Sequence, residues 1–122
     1  MSKHAFRAAD YLLHMLEATN RALEYAKDSS EEQFFTNQML QDAVIHNIEI
    51  VGEAANNLLQ AAPEIAAHYP SIPFAQIYGM RNRISHGYFA VDVEMVWESV
   101  QIDLPELREQ LTAVLKELHE EK

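Results

Sequence analysis

The sequence predicts an all-α fold, an antiparallel bundle of helices joined by short connections. Three observations predict it. Only three glycines and four prolines punctuate 122 residues. No stretch alternates apolar and polar residues convincingly enough to read as a strand. Apolar residues recur instead at three- and four-residue steps through most of the chain. Hydrophobic residues make up 48%, enough for a real core at this length, so the chain reads as one domain over 1–122.

The first helix is expected from about Lys3 to Lys27, on the spacing of Phe6, Ala9, Leu12, Leu13, Leu16, Leu23 and Ala26. Asp28-Ser29-Ser30 breaks it, and Ser30 is placed to cap a short helix over Glu31–Phe35. A long helix follows from about Asn37 to Ala62, where Leu40, Val44, Ile48, Val51, Ala55 and Leu58 form one stripe. Gly52, Ala54 and Ala55 are small enough for a neighbouring helix to come close. Pro63 ends this helix or opens a short turn of the next. His68–Pro73 is a loop, its two prolines forcing extended neighbours. A third long element covers about Phe74–Ser85, with Gly87 as C-terminal cap. Asp92 caps the last helix, which runs to about Glu117 with Val93, Val96, Trp97, Val100, Leu104, Leu107, Leu111 and Val114 inward. Pro105 falls inside that pattern and predicts a kink or brief break near Gln101–Leu104. The Glu117–Lys122 tail reads as a frayed end.

There is no cysteine, which excludes disulfides, thiolate chemistry and Cys-based zinc sites. The N-terminus lacks the apolar core of a signal peptide, and no apolar run is long enough to span a bilayer. A cytoplasmic protein with no membrane partner is expected. Net charge is −10, which argues against nucleic acid as a partner. The distribution softens that argument. All 19 acids lie outside Ile65–Val91, a window whose cations are Arg81 and Arg83, with His68 and His86 beside them. Burial of this segment would equally explain the missing acids.

Inside that window lies Arg81-Asn82-Arg83-Ile84-Ser85-His86-Gly87-Tyr88. Arg81 offers a planar fork suited to phosphate. His86 exchanges a proton near neutral pH. Asn82 can orient the imidazole or bind a phosphate oxygen, with Arg83 and Ser85 as supporting groups. On a continuous helix, residues five apart point about 140° away from one another. Arg81 and His86 therefore share a site only if the helix ends between them. No carboxylate lies nearby to hold a metal, and no cofactor is expected. The set suits metal-independent RNA cleavage with the neighbouring 2′-hydroxyl as nucleophile. One histidine per chain supplies only one proton-transfer group, so a symmetric homodimer with facing motifs is expected. From spacing alone, a chance arginine and histidine on a structural helical dimer remains an open alternative.

Three segments carry a wider resemblance: Gln41–Ala54 in the long helix, Gly79–Phe89, and Val96-Trp97 followed by Asp103–Leu107. On these the chain resembles a HepT-like ribonuclease toxin of the HEPN superfamily, along nearly its whole length. The resemblance implies a HEPN-like helical homodimer that cleaves RNA, with Arg81 and His86 as the catalytic pair. It implies a type II toxin–antitoxin module whose antitoxin, a minimal (MNT-type) nucleotidyltransferase encoded beside it, transfers AMP to Tyr88. Physically, AMP two residues from His86 would block the cleft and repel RNA phosphate. The rival reading is a non-catalytic helical partner that presents a nucleotide or substrate to a nucleotidyltransferase.

Plainer readings apply elsewhere. His46, Glu49 and Glu53 lack the paired Glu-x-x-His pattern of bundle metal sites and read as a polar face toward a partner. Trp97 belongs to the core or a dimer interface. His4, His14, His68 and His119 read as surface residues.

Overall fold

Local signals set the helix boundaries in the computed structural model, which describes residues 3–85 and 92–120, with backbone alone at 3–6 and 81–85. The elements are α1 (Lys3–Ala26), α2 (Glu31–Thr36), α3 (Gln38–Ala61), α4 (Pro63–His68), α5 (Phe74–Ser85), α6 (Val93–Glu98), a π-helical turn (Ser99–Asp103) and α7 (Leu104–Glu120). Among the described residues every element is helical, as the sequence predicts. No helix there is long and apolar enough to cross a membrane.

Four of the helix starts have a local chemical cause. Ser30 and Gln33 form a reciprocal capping box: Gln33 N–H donates to Ser30 Oγ at 3.1 Å, and Ser30 N–H donates to Gln33 Oε1 at 2.9 Å. This satisfies two amides that the first turn leaves open. Asn37 Oδ1 accepts from Leu40 N–H at 3.0 Å and starts α3. Pro63 occupies the first turn of α4, where its missing N–H is no loss. Asp92 Oδ1 accepts from Met95 N–H at 3.1 Å and starts α6.

The last helical region is not one kinked helix but two, joined by the π-helical turn. Leu104 N–H reaches back five residues to Ser99 O. Pro105 explains it. Its ring has no N–H to donate and crowds the carbonyl four residues earlier, on Gln101, so the chain widens just before it. The helix then continues to Glu120, past the frayed end expected from Glu117.

The core lies between α1, α3, α5 and α7, with Leu12, Met15, Phe34, Ile48, Leu58, Leu104 and Leu111 almost wholly buried. The α1–α3 contact is the most extensive in the bundle. Buried Ala8, Ala18, Ala22 and Ala26 on α1, and Gly52, Ala54 and Ala55 on α3, suit a close approach. Trp97 packs on Phe34 with ring centroids 5.2 Å apart, which fastens α6 over α2. Phe74 and Leu59 border one groove, and Met80 and Ile48 another, so α5 runs antiparallel to α3.

Candidate functional site

The residues that carry the expected chemistry fall at the end of α5. Helix α5 covers Phe74–Ser85, so Arg81, Asn82, Arg83 and Ser85 occupy its last turn and a half. His86, Gly87 and Tyr88 lie outside the described residues, as do the side chains of 81–85.

The α5 backbone sorts these positions by register. Phe74 and Ile77 are buried. Position 81 lies seven and four residues further on, in the same line. Position 83 instead follows exposed Gln76 by seven residues and half-buried Gly79 by four, on the outward line. The two arginines therefore occupy different faces of α5, with position 81 on the line that packs against α3.

One contact ties this end of the bundle together. The hydroxyl of buried Ser99 donates to Met80 Sδ at 3.2 Å, tying α5 to the π-helical turn one residue before Arg81. Among the described residues, no heavy atom lies within 4 Å of where a Cβ on Gly79 would stand, so packing against them does not require that glycine.

The acid-free window is not simply a buried segment. Ala67, His68, Pro70, Ser71, Pro73, Ala75 and Gln76 are all exposed. Burial therefore fails to explain the missing acids over this stretch, and an acid-poor surface leads up to the motif.

On the far side of α3, a groove of about 400 Å³ runs between α1 and α3 and collects His14, Glu17, Arg21, His46, Glu49 and Glu53. Its organising contact was not legible in the sequence. Asn47 is 3% exposed. Its amide nitrogen donates to Ala43 O at 2.9 Å, and its Oδ1 accepts from Arg21 Nε at 2.8 Å. The groove brings His46, Glu49 and Glu53 together with Ile50 and Ala54, so charged and apolar groups share its lining. Among the described residues no three histidine or carboxylate side chains are grouped to hold a metal ion. His14, His46, His68 and His119 are exposed.

Fold and sequence together define an all-α protein with Arg81-Asn82-Arg83 near the end of a helix packed on the long central helix α3. Comparison with known proteins gives the class a name. The family model described as ribonuclease HepT-like matches residues 15–114. A Methanocaldococcus jannaschii protein named "Gamma-glutamylcyclotransferase and putative RNase" is 42% identical over 112 residues, which span 92% of this chain and 49% of that protein. The chain thus spans about half the length of that relative. Another protein of the same organism, named "Putative RNase", is 33% identical over 110 residues, 90% of this chain and 92% of the relative. "Probable ribonuclease HepT" of Thermococcus cleftensis is 34% identical over 99 residues, 81% and 87% of the two chains. No solved structure gave a match. The chain belongs to the HepT-like ribonuclease family, and its enzyme class is ribonuclease.

Proposed function

We propose that this chain, as a single domain over 1–122, is a metal-independent endoribonuclease toxin acting in the cytoplasm. It works as a homodimer whose two motifs share one composite site. Arg81 binds the scissile phosphate and stabilises the charge that builds there. His86 of one protomer takes the proton of the 2′-hydroxyl as that oxygen attacks phosphorus. His86 of the other protomer gives a proton to the departing 5′-oxygen. The products are a 2′,3′-cyclic phosphate and a 5′-hydroxyl, and DNA is spared because it lacks the nucleophile. Asn82 orients the imidazole, and Arg83 and Ser85 support the phosphate.

The observation that carries this reading is that Arg81 falls in the last turn and a half of α5, in a chain of the HepT-like ribonuclease family. A nucleotidyltransferase antitoxin then silences the enzyme by transferring AMP from ATP to Tyr88, with release of pyrophosphate. The test is cleavage of a labelled RNA by the purified chain in EDTA. The expected result is cyclic-phosphate ends, lost in His86→Ala and Arg81→Ala. Undiminished cleavage by folded His86→Ala would overturn the assignment.

One observation favours the rival reading, a non-catalytic partner that presents a nucleotide to a nucleotidyltransferase. The net charge of −10 opposes general RNA binding. Under that reading the purified chain binds nucleotide but leaves RNA intact at every enzyme concentration.

A further inference from the structure

The π-helical turn does more than accommodate Pro105. Its hydrogen bond spans five residues instead of four, so Ser99 and Leu104 point closer together than the about 140° of a regular helix. Both face inward, at 2% and 1% exposed. The backbone of Ser99 is bonded on both sides. Its N–H donates to Met95 O and Val96 O, and its carbonyl accepts from Leu104 N–H. A helical serine often turns its hydroxyl back onto a carbonyl of its own helix. Ser99 directs it across to α5 instead, onto Met80 Sδ at 3.2 Å.

The place where this bond meets α5 matters. Phe74 and Ile77 are buried, and Met80, three residues further on, is half-buried. Each helical residue turns about 100° from the one before. Holding the Met80 side chain therefore holds the rotation of α5 about its axis at the residue that leads into position 81. A thioether is a weak acceptor, so the bond contributes little to folding stability. What it supplies is direction.

We propose that Ser99 is a positioning residue for RNA cleavage. Through Met80 it holds the rotation of the α5 backbone at position 81, the residue assigned above to the scissile phosphate. This role rests on that reading of Arg81 and adds what keeps it aimed. A displacement of about 1 Å at a reacting group lowers a rate by up to about a hundredfold. A bond with little effect on folding can thus have a large effect on kcat.

The test uses the full chain and a labelled RNA. Values of kcat, KM and melting temperature are compared for wild type, Arg81→Ala, Ser99→Ala, Met80→Leu, the Ser99→Ala/Met80→Leu double variant and Val114→Ala. Met80→Leu keeps the volume and removes the acceptor. Val114→Ala removes packing from a buried site farther along α7 and controls for lost stability. Ser99→Ala and Met80→Leu are each expected to lower kcat roughly tenfold with KM unchanged. The double variant is expected to lose no more than either alone, because both substitutions break one bond. Val114→Ala melts lower and keeps its kcat. Wild-type kcat in either single variant overturns the role, as do losses that multiply in the double variant. An equal fall in Val114→Ala assigns the effect to stability and also overturns it. All three are read against a wild type that cleaves RNA and an Arg81→Ala variant that does not. If wild type is inert, or Arg81→Ala is fully active, the reading of Arg81 fails and the role of Ser99 fails with it.

Discussion

Arg21 on α1 donates its Nε to the Oδ1 of Asn47 on α3 at 2.8 Å, and Asn47 is oriented for this by its own bond to Ala43 O. The asparagine is buried and the arginine is largely exposed. A polar group that the core would otherwise reject is thereby satisfied, and the α1–α3 pair is held in one register at that level.

Replacement of Asn47 tests the value of this contact. Asn47→Ala leaves a small void and releases Arg21, and is expected to cost about 1–2 kcal/mol of stability. Asn47→Leu is expected to cost less, because Arg21 can turn its Nε to water while the volume stays filled. Urea denaturation of both variants measures the difference. Equal losses would show that the hydrogen bond, not packing, dominates.

Thr19 offers the opposite case. It is fully buried on α1, and its hydroxyl has no hydrogen-bond partner among the described residues. An unsatisfied buried hydroxyl is destabilising. Thr19→Val keeps the shape and removes the penalty, so stability should rise by about 1 kcal/mol. A lower urea midpoint for the variant would contradict this.

Gln41 is the buried link between α2 and α3. Its Nε2 donates to Phe34 O at 3.0 Å and to Phe35 O at 3.1 Å, satisfying carbonyls at the end of α2. Gln41→Leu abandons those carbonyls and should cost about 1–3 kcal/mol. Since Phe34 carries Trp97, loosening of α2 is read as a change in Trp97 fluorescence before global unfolding.

Gly79 sits inside α5, and no described residue comes within 4 Å of where a Cβ would go. Gly79→Ala should stabilise the protein by about 0.5–1 kcal/mol through helix propensity. Thermal melting checks the sign. If RNA cleavage falls while stability rises, the glycine serves close approach of substrate beside Arg81.

The proposed composite site makes a prediction that a site confined to one protomer does not. A tagged heterodimer of wild type and His86→Ala retains one histidine, so either the base or the acid is missing. Its cleavage rate should fall far below half of wild type, as removal of one general acid–base group typically loses about 10²–10⁴-fold. A rate near one half would mean two independent sites.

Much of the architecture was legible because its causes are local. Ser30 and Gln33, Asn37, Pro63 and Asp92 mark helix starts by chemistry confined to four residues. The stripe from Leu40 to Leu58 and the one from Val96 to Val114 name the core faces by period. The break at Pro105 was legible as a disturbance, but its form was not. Whether a proline produces a kink or a π-helical turn depends on whether the helices on both sides are held in place, and that is decided by packing. The buried links of Gln41, Asn47 and Ser99 were equally hidden, since their partners lie on other helices or across a turn. The candidate motif stood out by composition, yet spacing along one chain could not supply the second proton-transfer group that the proposed shared site needs.

The sequence alone therefore determined the helices, their inward faces and the candidate chemistry of Arg81–Tyr88, because these follow from short-range sterics, hydrogen bonding and residue type. The tertiary structure decided what lies between helices. It put position 81 on the α3-facing line of α5 and position 83 on the outward one, fixed Arg21 against Asn47, and set Ser99 against Met80. Those features depend on which helix packs against which and at what level, and no single helix carries that information.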